Sequence, residues 1–396
     1  MLNKKPTFTT DSKHNMAGSC HPPGKIRIAC TVFKNLLCTY LKTFTYIATI
    51  SIVLFLCADL LLGRFYPKIH TPTKYGWSLA PNSKKSRAVH DTKGNYRKVE
   101  NEYFDHGFKR WPKDPGDKPR VLIIGDSFTE MDYVSNGEEW YAYLELAFPD
   151  IAFYVFGAGG YGTLQEYMVM DDHFDTVMPD AVIWLFCDND YSNNYYERDK
   201  REYPYNNHFV RPYWEDNAIV YRLPLPYPQL RTYSFSADRL LHIYDNIRRK
   251  IASQNWAKFI QMWVESQNKR PFAKKQYARR DQYMSKAINV TKLLARKIRS
   301  RAGDIPIYFF TPYVKFTSEN RSICEAGNFR GSDALSEQMA KLLMSSIQLL
   351  VVNDGHWNYS GNRHAGEILS EYFKSIGGIV PSGQRHRYDH QRFEQD

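Results

Sequence analysis

VLIIGDSFTEMDYV, residues 121–134, places four branched aliphatic residues directly before Gly125, Asp126 and Ser127. A short apolar run that stops at turn residues is typical of a strand buried on both faces. The strand can end on small polar residues for two reasons. Either the chain simply turns here, or the strand serves to present the hydroxyl group of Ser127.

Similar apolar runs recur along the chain and alternate with segments of helical periodicity. Strands that are apolar throughout and alternate with helices predict a parallel sheet covered by helices on both faces. After the first run, the predicted strands are IAFYVFG (151–157), AVIWLFC (181–187), IPIYFFT (305–311) and IQLLVV (347–352). The sequence therefore predicts an α/β fold.

The amino-terminal region contains a different kind of segment. Residues 43–63, TFTYIATISIVLFLCADLLLG, form an apolar run that is interrupted only by Asp59 near its end. About 20 helical residues span the hydrocarbon core of a bilayer, and core helices are rarely apolar on every face. A cleavable signal is disfavoured because the run is long and no small-residue cleavage site follows. We therefore expect residues 43–63 to be a transmembrane helix rather than a buried helix.

Basic residues on both sides of this segment bear on its orientation. Four precede it and three follow it within twenty residues. The small excess favours a cytoplasmic amino terminus, which would place the rest of the chain outside the cytoplasm, in a periplasmic or other extracytoplasmic space. They are Lys25, Arg27, Lys34 and Lys42 before the segment, and Arg64, Lys68 and Lys74 after it.

Composition divides the remainder of the chain. Residues 1–42 are predicted to be a basic cytoplasmic tail, 64–117 a tether with short strands, 118–380 the α/β domain and 381–396 a polar tail. A Tyr- and Pro-rich loop and two basic helical stretches interrupt the α/β pattern at about 198–303. We interpret this interruption as a helical insertion.

Much of the positive charge lies in this insertion. Between Asp245 and Arg301, sixteen Lys or Arg residues stand against three acidic residues, in a chain of formal net charge +11. A solvated helical surface and a contact with an anionic partner, such as an acidic glycan or lipid head groups, both fit this pattern. No nucleic-acid-binding motif accompanies the charge, so nucleic acid is not expected as a partner. The cysteines show no closely spaced pair, so the sequence predicts no disulfide framework, and pairing of Cys187 with Cys324 stays open.

Polar residues with complementary chemistry follow four of the predicted strands. Ser127 follows the first, a glycine-rich turn with Gly160 the second, Asn189 the third, and Asp354 with His356 the last. The carboxyl ends of parallel strands meet at one edge of the sheet, where α/β proteins bind their ligands. We therefore expect these residues to lie close together.

Each of these residue types has a role in acyl transfer. A histidine removes the proton from a serine hydroxyl group, and a carboxylate orients that histidine. Backbone N–H groups and an asparagine amide can hold the oxyanion of the tetrahedral intermediate. Losing one such donor raises the activation free energy by about 3–4 kcal/mol. All of these groups belong to the protein chain itself, so no cofactor and no metal site is predicted.

These segments resemble a known family. GDSFTE (125–130), GAGGYGT (157–163), DND (188–190) and DGHWNYSGNRH (354–364) are similar to the four blocks of the SGNH/GDSL hydrolases. DHGFKR (105–110) is similar to a segment of membrane-anchored members. The resemblance covers about 95–197 and 304–376, and it implies a flavodoxin-like three-layer α/β/α fold and activity on ester-linked acyl groups. By motif position it implies that the nucleophile is Ser127, the catalytic base His356 and its acid Asp354, with Ser127, Gly160 and Asn189 forming the oxyanion hole.

Three positions depart from the pattern of that family. The acid is Asp354, two residues before the histidine, whereas many members have it three residues before. Val155 stands where an asparagine often begins the second block. Met131 replaces a glycine that commonly follows GDSFTE, and we expect its side chain to narrow the entrance to the site.

Other polar clusters are interpreted as structural. Asp171, Asp172 and His173 are adjacent on a predicted helix and point in different directions, which disfavours a metal site. Asp126 is expected to support the turn at the strand end. The aromatic loop YPYNNHFVRPYWEDN (203–217) has two open interpretations, which are stacking on sugar rings and packing of the insertion against the core.

The sequence thus predicts a single-span membrane protein with an extracytoplasmic SGNH-type esterase domain. Its substrate would be an acylated small molecule, an envelope glycan or a lipid. An acyltransferase would use the same site with a sugar hydroxyl group in place of water. A catalytically silent module that binds an anionic polymer through the basic insertion is the other alternative.

Overall fold

The chain divides into two compact units, Met1–Phe65 and Tyr66–Asp396. Most of the basic stretch, and the predicted polar tail after residue 381, lie outside the described residues. The computed structural model describes residues 24–65, 73–90, 96–201, 209–227, 230–231, 234–248, 250–251, 282–312, 316–345, 348–351 and 354–381.

The first unit contains one long helix, α1 (Gly24–Phe65), of 42 residues. Its stretch Thr31–Leu62 has a mean hydropathy of 2.1, and nearly all of its side chains are exposed. About 20 helical residues are enough to cross the core of a bilayer. Helix α1 is therefore long and apolar enough to span a membrane. The predicted segment 43–63 lies inside α1, and the helix already begins within the predicted tail 1–42.

The second unit begins with an antiparallel hairpin. Strand β1 (Ser83–His90) pairs with β2 (Tyr96–Tyr103), with Ser83 opposite Tyr103. The predicted tether 64–117 thus contains short strands. Val99 and Tyr103 are buried at alternate positions of β2, as expected for a strand with one face on the protein.

A parallel sheet forms the centre of this unit. The strands that follow the hairpin are β3 (Arg120–Gly125), β4 (Ala152–Gly157), β5 (Ala181–Leu185), β6 (Arg211–Glu215), β7 (Ala218–Arg222), β8 (Ile307–Phe310) and β9 (Arg330–Gly331). Strands β6 and β7 pair with each other, and the others form a parallel sheet in the order β4-β3-β5-β8-β9. Within that sheet this is the order 2-1-3-4-5 of flavodoxin-like folds. The predicted α/β fold class is confirmed.

Helices cover both faces of the sheet. After α1, the helices in chain order are α2 (Ser127–Glu130), α3 (Trp140–Ala147), α4 (Thr163–Val177), α5 (Asn189–Asn193), α6 (Tyr196–Asp199), α7 (235–248), α8 (Gln282–Ala302), α9 (Ser318–Gly327), α10 (Ala334–Met344) and α11 (Tyr359–Ser375). Helices α3, α10 and α11 pack on one face, and helices α4, α8 and α9 pack on the other, so the domain has three layers.

The apolar runs of the sequence are explained by two hydrophobic cores. Successive side chains of a strand point to opposite faces of the sheet. Leu122 and Ile124 of β3 therefore enter the core beneath α4 and α8, whereas Val121 and Ile123 enter the core beneath α3 and α11. Strand β3 lies between β4 and β5 and is buried on both faces, so the residues that follow Gly125 lie at the carboxyl edge between two neighbouring strands.

The prediction of a sheet strand at 347–352 is wrong. Of this segment the structure describes 348–351, where Leu350 forms only an isolated bridge to Trp357. The fifth strand of the sheet is instead the two-residue β9, which pairs with Tyr308 and Phe309 of β8. Leu349 and Val351 are buried, so the apolar run reflects core packing rather than sheet pairing.

Helix α8 belongs to the sandwich although it falls within the predicted insertion 198–303. Ile288, Ala295 and Ile298 on its inner face are part of the hydrophobic core beneath β3 and β5. The helix connects β5 to β8 as a crossover does in any parallel sheet. The segment that interrupts the α/β pattern therefore ends before α8.

Candidate active site

The turn after β3 is built to place Ser127 at the carboxyl edge of the sheet. Asp126 accepts a hydrogen bond from the backbone N–H of Phe128 at 3.0 Å and so caps α2. A Cβ atom on Gly125 would lie 2.3 Å from Thr129 Oγ1, so only glycine lets α2 lie this close to the strand. Ser127 is the first residue of α2 and is half-buried. Asp126 supports this turn, as the sequence indicated.

Ser127, His356 and Asp354 form a continuous chain of hydrogen bonds. His356 Nε2 lies 2.7 Å from Ser127 Oγ. His356 Nδ1 contacts Asp354 Oδ1, which also accepts the backbone N–H of His356 at 3.0 Å. This is the order of groups that activates a serine hydroxyl group. The spacing of two residues between acid and base, which departs from many SGNH members, is compatible with this geometry.

The loop that carries the acid and the base is closed by its own backbone. The N–H of Val351 donates to the carbonyl of His356 at 2.9 Å, and the N–H of Asp354 donates to the carbonyl of Val351 at 3.0 Å. Trp357, the next residue, is fully buried. The loop is therefore anchored in the core, which fixes the imidazole opposite Ser127.

The acid and the base perturb each other's titration. Burial would lower the pKa of His356, but the charge and hydrogen bond of Asp354 outweigh it and raise that pKa. Burial would raise the pKa of Asp354, but the attraction and hydrogen bonds of His356, together with a hydrogen bond from Tyr133, hold that pKa well below its usual range. Asp354 is therefore ionised at neutral pH, and His356 is a stronger base than free imidazole.

Two aromatic rings enclose the imidazole. Phe128 stacks on one side of His356 with ring centroids 4.9 Å apart, and Tyr133 stacks on the other at 4.7 Å. Tyr133 also donates its hydroxyl hydrogen to Asp354 Oδ2 at 2.8 Å. The guanidinium of Arg87, on the hairpin, lies 4.4 Å from the Tyr133 ring centroid. The motif pattern gave no signal for Tyr133, because its contact with Asp354 joins positions far apart in the chain.

The backbone beside the serine provides donors for an oxyanion. Gly160 lies in the turn after β4 with φ of 77°, a conformation that favours glycine. Neither the N–H of Ser127 nor the N–H of Gly160 forms a hydrogen bond to the residues that the structure describes. These groups are the backbone part of the predicted oxyanion hole.

Two buried side chains fix the glycine turn from either side. Glu130 Oε2 accepts the N–H of Gly159 at 2.6 Å, and Tyr103 donates to the other oxygen of Glu130 at 2.8 Å. Arg211 donates to the carbonyl of Gly160 at 2.7 Å. These hydrogen bonds fix the orientation of the two peptide groups on either side of the peptide group that carries the Gly160 N–H. Sequence reasoning missed both Glu130 and Arg211 as site residues.

Arg211 is itself held in a buried network. It is fully buried, and its Nε lies 3.0 Å from Asp199 Oδ2. Its Nη1 also donates to Gln165 Oε1 at 2.7 Å. Since β6 carries Arg211, the hairpin of β6 and β7 touches the candidate site through the backbone of Gly160. Tyr213 on the same strand is buried and donates to Asp199 at 2.5 Å, which favours packing for this part of the aromatic loop.

The side-chain amide of Asn189 is engaged within the protein. Its Nδ2 donates to Asp126 Oδ2 at 3.2 Å and to Asn193 Oδ1 at 3.0 Å. An asparagine amide has two hydrogen atoms to donate, so both are used here. Asn189 lies beside the serine turn as predicted, but its amide must exchange a partner before it can bind an oxyanion.

Met131 does not narrow the site entrance, so that prediction is wrong. Its side chain is fully buried in the core beneath α3 and α11. It adopts φ of 47° and ψ of 48° and ends α2 in the left-handed conformation. The position that is often glycine in the resembling family therefore keeps its backbone conformation and adds an apolar side chain to the core.

The acidic residues and histidine of α4 point in different directions, as expected. Asp171 lies 2.8 Å from Arg301, and Asp172 contacts Tyr75 and Lys74. His173 packs among aromatic rings, including His106 at 4.7 Å. Within the described residues, no group of three potential ligands is placed to hold a metal ion.

Solved structures similar to this chain include several hydrolases. An α/β hydrolase from the metagenome of Lake Arreo, Spain, is 11% identical over 67% of this chain and 97% of its own, with a TM-score of 0.33. A lipase/acylhydrolase from Enterococcus faecalis is 10% identical over 67% and 100%, with a TM-score of 0.33. An acetylxylan esterase from Geobacillus stearothermophilus, solved as a catalytic mutant, is 12% identical over 67% and 97%, with a TM-score of 0.30. No protein-family model and no curated protein matches the chain.

The fold itself is assigned from this protein's own topology. The sheet has the order 2-1-3-4-5, and Ser127, Gly160 and Asn189 follow its first three strands, with His356 within reach of Ser127. The chain has a flavodoxin-like three-layer α/β/α fold. Ser127, His356 and the backbone N–H group of Gly160 share one edge of the sheet.

Proposed function

We propose that this protein is an SGNH-type ester hydrolase in which Ser127 is the nucleophile. His356 takes the proton of the Ser127 hydroxyl group as its oxygen forms a bond to the ester carbonyl carbon. The N–H groups of Ser127 and Gly160, joined by the Asn189 amide, hold the oxyanion. His356 then gives the proton to the departing alkoxide, and the carbon–oxygen bond of the ester breaks. Asp354 stays ionised throughout and stabilises the imidazolium.

Water completes the reaction in a second half. His356 removes a proton from water, the hydroxide attacks the acyl carbon, and the bond to Ser127 breaks as its oxygen regains the proton. A sugar hydroxyl group in place of water would make the same site an acyltransferase. The proposed substrates are therefore acylated small molecules, glycans or lipids.

The observation that carries the proposal is the 2.7 Å approach of His356 Nε2 to Ser127 Oγ. A hydroxyl group at this distance from an imidazole is ready for proton transfer. The raised pKa of His356 and the ionised state of Asp354 support it, because a fixed carboxylate beside the base stabilises the imidazolium that forms. A silent binding module has no need of this alignment.

We further propose that residues 43–63 anchor the protein in a membrane, with the hydrolase domain on the extracytoplasmic side. The length and hydropathy of α1 support the anchor. The slight excess of basic residues before the segment supports the orientation. Alkali extraction of membranes tests the anchor, and protease accessibility of the carboxyl-terminal domain in intact cells tests its side.

Ser127→Ala tests the catalytic proposal. We expect hydrolysis of p-nitrophenyl acetate to fall by about 10⁴-fold and labelling by a fluorophosphonate probe to disappear, because the nucleophile is removed. Ser375→Ala, which changes a hydroxyl group at the exposed end of α11, is the matched control and should keep full activity. An unlabelled, inactive wild-type protein would refute the hydrolase proposal, and acyl transfer to an added sugar acceptor would identify a transferase.

A further inference from the structure

One face of helix α7 is polar and buried. Asp238 and Asp245, seven residues apart, lie on one side of this helix and are both buried. Arg231 is also buried, contacts Asp245 and lies 4.0 Å from Asp238. The buried face of α7 therefore carries an ionic cluster, whereas a surface helix normally buries an apolar stripe.

The opposite face of α7 is apolar and exposed. Apart from one adjacent pair, its residues are three or four positions apart, so they form a single stripe along the helix and its continuation at 250–251. Their side chains are between 48% and 68% exposed. The stripe consists of Leu240, Ile243, Tyr244, Ile247 and Ile251. In helix α7 the polar face is thus buried and the apolar face exposed, which is the reverse of most surface helices in soluble proteins. The exposed apolar face can bind an apolar partner.

The charge of the adjoining sequence indicates what that partner is. From Asp245 to Arg301 the chain holds sixteen basic residues against three acidic ones. A helix with an apolar face, flanked by basic residues, is typical of segments that lie in the head-group region of an anionic bilayer. A second copy of the chain would bring two strongly positive segments together.

We propose that α7 is an interfacial helix that docks its apolar stripe on the surface of an anionic phospholipid bilayer. This inference rests on the proposed anchoring by residues 43–63 and goes beyond the proposed ester hydrolysis. The anchor keeps the domain near the bilayer, so docking is an intramolecular event at high effective concentration and a modest stripe suffices. The basic sequence that follows strengthens docking in proportion to the anionic lipid present.

Hydrogen exchange of the full chain in lipid nanodiscs tests this proposal. The bilayers are phosphatidylcholine alone, or phosphatidylcholine with phosphatidylglycerol in equal parts. We expect amide exchange in peptides covering 235–251 to be about tenfold slower in the anionic discs, because a docked helix opens less often. Peptides covering α3 should exchange equally in both.

Variants separate docking from general effects of charge. Ile243→Glu with Ile247→Glu should restore fast exchange in anionic discs, since both side chains are exposed and the substitutions leave the ionic cluster intact. Leu146→Glu with Ile376→Glu introduces the same charge at exposed apolar positions outside the stripe and should change nothing.

Each remaining outcome overturns a defined part of the argument. A chain that does not incorporate into nanodiscs refutes the anchor and the docking together. A chain that incorporates but exchanges equally fast at 235–251 in both lipids refutes docking alone. Slow exchange that depends on protein concentration and not on lipid charge would show that a second copy covers the stripe. None of these results depends on esterase activity, which Ser127→Ala tests separately.

Discussion

Tyr133→Phe tests the most specific feature of the candidate site. The change removes the hydroxyl group that donates to Asp354 at 2.8 Å and leaves the ring stacked on His356. A hydrogen bond to a charged group contributes about 1.5–3 kcal/mol. The Asp354 side chain is 29% exposed, so solvent screening places the loss near the lower end, at about 1–2 kcal/mol.

That loss appears in catalysis because the hydrogen bond orients the carboxylate that orients the base. About 1.4 kcal/mol corresponds to a tenfold change in rate, so we expect kcat for p-nitrophenyl acetate to fall about fivefold to thirtyfold, with KM nearly unchanged. The pH dependence should change as well. A carboxylate that no longer shares its charge with Tyr133 attracts the imidazolium more strongly, so the pKa of His356 rises and the midpoint of kcat/KM against pH moves upward.

The control is Tyr96→Phe, which removes the hydroxyl group of an exposed tyrosine on the hairpin. It should leave the rate and the pH midpoint unchanged. A Tyr133→Phe enzyme with wild-type kcat and an unmoved midpoint would show that the hydrogen bond neither orients nor polarises the acid. A fall in kcat that follows only a fall in folded fraction, measured by thermal unfolding, would assign Tyr133 a purely structural role.

Three further predictions concern the base, the glycine turn and the buried methionine. Activity requires neutral His356, whose pKa is raised. We therefore expect kcat/KM to increase with pH, with an apparent pKa above the ordinary histidine value of about 6.5. A midpoint below that value would contradict the pairing of His356 with Asp354. Glu130→Gln weakens the acceptor for the Gly159 N–H and should lower kcat about tenfold with little change in KM, whereas Glu102→Gln at the surface should not. Met131→Gly relieves about 1 kcal/mol of left-handed backbone strain but loses about 2–5 kcal/mol of core packing. Urea unfolding should therefore show a lower free energy of unfolding than in the wild type. A more stable variant would contradict the buried position of the Met131 side chain.

The central strands were predictable from sequence because burial on both faces leaves a simple signature. Val121 to Ile124 are all apolar, since each side of the sheet receives alternate residues. The same rule failed at 347–352, where burial of Leu349 and Val351 serves core packing without sheet pairing. Strand β9 is only two residues long, so its pairing with β8 depends on the tertiary structure and leaves no pattern in the chain.

The candidate site was predictable to the extent that strand ends determine it. Ser127 and Gly160 follow their strands directly, so topology alone brings them to one edge. The residues that support them were not predictable. Arg211 contacts the Gly160 carbonyl from a position 51 residues later, and Tyr133 reaches Asp354 across 221 residues. Such contacts depend on how loops fold over the edge, which no local period of the sequence records.

The hydrogen bond from the Asn189 amide to Asp126 determines which species of the proposed reaction this amide can stabilise. A neutral ester carbonyl is a weaker acceptor than the Asp126 carboxylate that the amide already contacts. Only the negatively charged oxygen of the tetrahedral intermediate competes with that carboxylate on equal terms. Asn189 would therefore bind the ester itself only weakly and stabilise the tetrahedral intermediate. Such an interaction raises kcat without tightening the binding of substrate.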